Sequence, residues 1–73
     1  MFKLWVQPSD LTLTIKYHES ESESAQELLE RVEAMAEEHD MFITEYHDEP
    51  LLESYGLILR GTRTHGNWRI EKV

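Results

Sequence analysis

Only one stretch of this chain carries a helical period. Ala25, Leu28, Leu29, Val32, Met35, Ala36 and His39 recur at three- and four-residue intervals and make one apolar stripe. Gln26, Glu27, Glu30, Arg31, Glu33, Glu37 and Glu38 lie off it. Ser24-Ala25-Gln26-Glu27 fits a capping box, with the serine bonding forward to the backbone and the glutamate back. The spacing predicts a helix from Ala25 to His39, about 22 Å long at the standard rise. The rest of the chain must supply the surface on which that stripe is buried.

The remaining apolar residues alternate, as in half-buried strands. Phe2, Leu4 and Val6 alternate with Lys3, Trp5 and Gln7, and Leu11, Leu13, Ile15 and Tyr17 with Thr12, Thr14, Lys16 and His18. Gln7-Pro8-Ser9-Asp10 between them is a turn signal, since proline presets φ and Ser or Asp can bond its own backbone. The two runs read as a hairpin. Glu19 to Ser24 alternates acid and serine with no apolar residue and reads as a solvated loop. Met41 to His47 reads as one strand, broken by His47-Asp48-Glu49-Pro50. Tyr55 to Thr64 and Asn67 to Val73 read as a second hairpin turning at His65-Gly66, with Tyr55, Leu57, Leu59, Trp68 and Ile70 on its core face.

The expected order is ββαβββ: an α+β domain spanning residues 1–73, with one amphipathic helix on a four- to five-stranded, mainly antiparallel sheet. In outline this resembles the β-grasp shape of ubiquitin-like folds, and a plain antiparallel sheet serves the pattern equally well. The chain ends Glu71-Lys72-Val73 rather than in a Gly-Gly tail, so conjugation chemistry is not expected. Seventy-three residues, 40% of them hydrophobic and including two Trp, two Phe and three Tyr, are enough for one modest core. No apolar run approaches the ~20 residues needed to span a bilayer. Met1 to Val6 is too short, and too soon followed by Pro8-Ser9-Asp10, to be a signal peptide. With no cysteine either, a soluble cytoplasmic protein is expected, free of disulfides and thiolate sites.

The net charge of −8 is unevenly spread. Residues 18–54 hold thirteen acids against Arg31 alone, while the flanking segments are both slightly basic. A dominant negative field argues against nucleic acid as a direct ligand. Catalytic patterns are missing: Gly56, Gly61 and Gly66 are isolated and form no phosphate loop, and no serine sits at a nucleophile elbow. His18, His39, His47 and His65 have no spacing that fixes metal ligands on one element. A non-enzymatic protein without catalytic residues, metal or cofactor is the expectation.

Two features point to a partner-binding surface. One is an acidic band: Glu19, Glu21 and Glu23 in the tract, Glu27, Glu30, Glu33, Glu37 and Glu38 on the helix, and Asp48 and Glu49 beyond. Concentrated like charge costs stability, so solubility alone explains it poorly. Glu23, Glu27, Glu30 and Glu37 would advance by about 6, 4.5 and 10.5 Å along a helix, a line that a groove built for phosphates would accept. The other is Trp5, which points opposite Phe2, Leu4 and Val6 if the first strand alternates, unless Leu51-Leu52 covers it; Trp is favoured in binding hot spots. In size and charge the chain looks like phage-encoded anti-CRISPR and anti-restriction proteins and like nuclease-immunity proteins. That likeness implies an inhibitor acting as a DNA mimic on a protein with a basic surface. The alternative is a structural or regulatory subunit, a homodimer for example, assembling through sheet edges and Trp5.

Overall fold

The computed structural model describes residues 1–9, 15–48 and 53–73. Its elements are β1 (Phe2–Pro8), β2 (His18–Ser22), α1 (Ala25–Glu38), β3 (Phe42–Ile43), β4 (Tyr46–Asp48), β5 (Glu53–Arg60) and β6 (Arg63–Lys72). Among the described residues, one helix packs on a six-stranded sheet in the order β2-β1-β6-β5-β3, with β4 also pairing to β5. Every pairing is antiparallel, as in the plain sheet considered above. The α+β class is the expected one, with more strands than anticipated.

The helix forms where its stripe predicts. Leu28, Val32 and Ala36 are buried, and Ala25, Leu29 and Met35 pack partly against the core. Ser24 is the N-cap, its Oγ accepting the Glu27 amide at 3.2 Å. The return arm of the capping box is replaced: the Ser24 amide donates to Ser22 Oγ at 3.1 Å, while the Glu27 carboxylate accepts from Ser22 Oγ at 2.8 Å and from Arg31 at 2.7 Å. The helix closes in a Schellman arrangement, with Met41 N donating to Ala36 O at 2.8 Å and Asp40 N to Glu37 O at 3.0 Å. Asp40 supplies the left-handed residue (φ 57°), a place where Asp is tolerated. The Arg60 guanidinium donates to the His39 carbonyl and brings a cation to the helix end, where Glu37, Glu38 and Asp40 would otherwise leave only acids.

Opposite the helix stripe, Leu4 and Val6 of β1, Ile58 of β5 and Trp68 and Ile70 of β6 complete the core with Ile15 and Met41. Full burial of such side chains contributes about 1.5–3 kcal/mol each.

Three sequence expectations fail here. The partner of β1 on its outer side is the acid/serine tract, which is strand β2 rather than a loop, with Trp5 opposite Glu19 and Lys3 opposite Glu21. Residues 10–14 of the expected second strand, with the end of its turn, lie outside the described residues; Ile15–Tyr17 form no strand. At an edge, one neighbour suffices to fix a polar strand. Second, β5 and β6 turn at Gly61-Thr62, where Gly61 takes φ 62°, and Arg60 pairs with Arg63. His65 and Gly66 sit inside β6 instead: Leu59 pairs with Thr64 and Ile58 with Gly66, leaving buried His65 as the extra residue of a β-bulge. Tyr55 and Leu57 consequently lie exposed rather than in the core. Third, the strand expected over Met41 to His47 splits at Thr44. Its amide bonds Leu57 O at 3.0 Å, its Oγ1 accepts the Leu57 amide at 2.9 Å, and its carbonyl accepts Trp68 Nε1 at 3.1 Å.

Candidate protein-binding surfaces

The sheet separates the acidic band into two groups. Glu19 and Glu21 share the helix-free face of the sheet with Lys3 and Trp5, because directly opposed residues of an antiparallel pair point the same way. Glu27, Glu30, Glu33, Glu37 and Glu38 belong to the helix layer on the other side. Glu23 is exposed in the connection before the helix, so the expected carboxylate line begins at Glu27. Asp48 closes β4, and Glu49 lies outside the described residues.

Glu19 and Glu27 are already engaged. The Tyr17 hydroxyl donates to Glu19, and Lys3 Nζ lies 3.6 Å from it. Both contacts, the tyrosine first, hold the Glu19 carboxyl below its ordinary range, and the same hydrogen bond raises the Tyr17 phenol. Ser22 and then Arg31 hold Glu27 down in the same way.

The helix's second half is different. Glu33 and Glu37 border a hollow of about 240 Å³ with Glu45 from the β3–β4 link, over Met41 and the exposed Phe42 ring. A hydrogen bond with Glu45, then partial desolvation, then the charges of Glu45, Glu37 and Glu30 push the Glu33 carboxyl above its ordinary range. Of these four acids only Glu45 has a basic group within ion-pair reach among the described residues, the His47 imidazole at 3.7 Å. Carboxylates are crowded here against their own repulsion.

That crowding gives stability a pH dependence. With its folded pKa raised, Glu33 favours folding below the ordinary carboxylate range. It loses that contribution as pH rises through the raised value, because the unfolded chain releases its proton first. Glu19 and Glu27, held low, contribute the opposite slope at lower pH. Glu33→Gln should therefore melt higher than the parent near neutral pH and converge with it toward about pH 4. Melting curves across that interval check this, and parallel curves would remove Glu33 as the cause.

On the helix-free face, Trp5 points away from Leu4 and Val6 and is half-buried. Lys3 Nζ lies 5.1 Å and Arg69 Cζ 4.7 Å from its ring centroid. The Leu51-Leu52 segment that could have covered Trp5 lies outside the described residues. Tyr46 and Tyr55 stack on the same face with centroids 5.6 Å apart. Sequence reasoning missed Tyr46, Tyr55, Leu57, Arg69 and Glu45 as surface candidates: the hairpin register put Tyr55 and Leu57 inside, and Glu45 was read as part of an unbroken strand.

Among the described residues no group of His, Asp and Glu could hold a metal ion, and no helix is long and apolar enough to cross a membrane. No family model, curated protein or solved structure matches this chain.

Proposed function

We propose that this protein is a non-enzymatic inhibitor that sets its acidic helix side into a basic, nucleic-acid-binding surface of a partner protein. The observation that carries this reading is the crowding of Glu30, Glu33, Glu37 and Glu45, with His47 as the one basic group within ion-pair reach among the described residues. In the free protein this arrangement opposes folding near neutral pH. A partner's Lys and Arg side chains relieve it, with carboxylates taking the place of phosphates. The role is that of a phage anti-CRISPR or anti-restriction protein, or of a nuclease-immunity protein, acting in the cytoplasm. Assembly through the β2 edge is less favoured, because a second copy paired there opposes glutamates to glutamates.

Capture from host lysate at low and high salt, followed by competition, tests this. Binding should weaken steeply as the screening length shrinks below about 10 Å, and the captured partner should release nucleic acid as this protein binds. Reversing Glu30 and Glu37 to Lys should leave the fold intact, or slightly firmer, and abolish capture, since both side chains are exposed. A partner that holds nucleic acid and this protein together would refute the mimicry.

A further inference from the structure

The helix-free face carries a second surface of opposite character. Trp5 on β1 lies opposite Arg69 on β6, Arg69 opposite Tyr55 on β5, and Tyr55 opposite Tyr46 on β4. This cross-strand row borders a groove of about 540 Å³, whose other side is built by Gln7, Asn67 and Leu57. Gln7, Asn67 and Leu57 are themselves a row in register, two residues along each strand. In a chain of net charge −8, Arg69 is the sole charged residue among the described residues that line the groove.

Arg69 is held in a way that leaves part of its fork open. Its Nε meets Glu71 Oε1 at 2.9 Å, and its guanidinium lies over Trp5. With 53% of its side chain exposed, its terminal nitrogens make no hydrogen bond among the described residues. A planar guanidinium so placed is suited to a carboxylate. The surrounding Trp and Tyr rings are rigid anchors of the kind that concentrate binding energy, and the amides of Gln7 and Asn67 can pair with a backbone.

We infer that this groove docks a protein segment presenting an aromatic or large aliphatic side chain beside a carboxylate: the apolar group against Tyr55 and Leu57, the acid on Arg69. Charge complementarity selects this occupant. A basic segment would meet Arg69 with like charge, and a polyphosphate chain, charged at every unit, would be repelled by the net −8 field far more than a segment carrying a single carboxylate. The surface lies across the sheet from the acidic helix, so it goes beyond the inhibitor reading and stands or falls separately from it.

The probe is the blocked peptide acetyl-Gly-Phe-Glu-Gly-amide, titrated by NMR into the intact protein. Controls carry Gln or Lys in place of Glu, and decathymidylate is titrated in parallel. The Trp5 indole N–H and Arg69 Nε–H resonances should shift, while the methyl resonances of Leu28 and Val32, buried beneath the helix and away from the groove, stay in place and report the fold. The Glu peptide should bind about fivefold tighter than the Gln peptide, as expected for one charge-assisted contact in an open groove. Arg69→Gln should erase that difference, and Tyr55→Ala should weaken both peptides alike. Glu30→Lys with Glu37→Lys should change neither affinity, which separates this surface from the helix side. Equal binding of the Glu and Gln peptides, preference for the Lys peptide, tighter binding of decathymidylate at the same resonances, or shifts confined to the helix would each overturn the inference.

Discussion

Gly56→Ala is expected to abolish cooperative unfolding. Gly56 is buried on β5 opposite Trp68, and the β3–β4 link passes directly over it. A Cβ there would lie 1.8 Å from the Thr44 carbonyl oxygen and 2.8 Å from Trp68 Nε1. The obstruction is main chain, which no rotamer change relieves. Thr44 would have to move, taking with it its bonds to Leu57 and the carbonyl that accepts Trp68. Overpacking costs about 1–3 kcal/mol or more, and a broken buried hydrogen bond about as much again. A domain of this size commands only about 4–11 kcal/mol in all. Gly61→Ala is the control. Nothing lies within 4 Å of a Cβ there, and only the positive φ of 62° is at stake, about 1–2 kcal/mol. Urea unfolding followed by circular dichroism separates the two; a stable, cooperative Gly56→Ala would show that the β3–β4 link is free to shift.

The two tryptophans should behave oppositely. Trp68 is 2% exposed and is the largest of the core side chains, bonded through its indole to Thr44 O at 3.1 Å. Trp68→Ala should cost about 3–5 kcal/mol and leave little or no folded protein. Trp5 rests on the outside of the sheet beneath two cations, each contact contributing about 0.5–1 kcal/mol, so Trp5→Ala should cost only about 1–2 kcal/mol. Denaturation midpoints measure both. Equal losses would make the helix-free face a structural surface and remove the ground for placing a partner there.

The helix was legible because its determinants are local: stripe, cap and closing residue lie within Ser24 to Met41 and act on one another directly. β1 was legible for the same reason, with Leu4 and Val6 inward and Trp5 outward. The tract from His18 to Ser22 was not, because nothing in His-Glu-Ser-Glu-Ser favours a strand over a loop. It is extended because β1 offers it a row of backbone donors and acceptors, and that offer is written elsewhere in the chain. The acidic crowding was half legible. Glu30, Glu33 and Glu37 follow from helical spacing, but Glu45 reaches them only because the strand expected over Met41 to His47 breaks at Thr44.

The extra residue at His65 sets the phase of the whole hairpin. At the turn an even-numbered residue faces an odd one, Arg60 with Arg63 and Leu59 with Thr64. Beyond His65 even faces even, Ile58 with Gly66 and Gly56 with Trp68. Had the ladder continued uninterrupted, Trp68 would face Tyr55 and Gly66 would face Leu57, carrying both side chains into the interior and leaving Gly56 and Ile58 outside. One inserted residue exchanges the two sets. It turns Tyr55 and Leu57 toward solvent beside Trp5, and it leaves a side-chain-free gap through which the Thr44 carbonyl reaches the indole of Trp68. The aromatic exterior and the glycine-sized opening in the interior are therefore a single geometric decision, made nine residues from Gly56 along the chain.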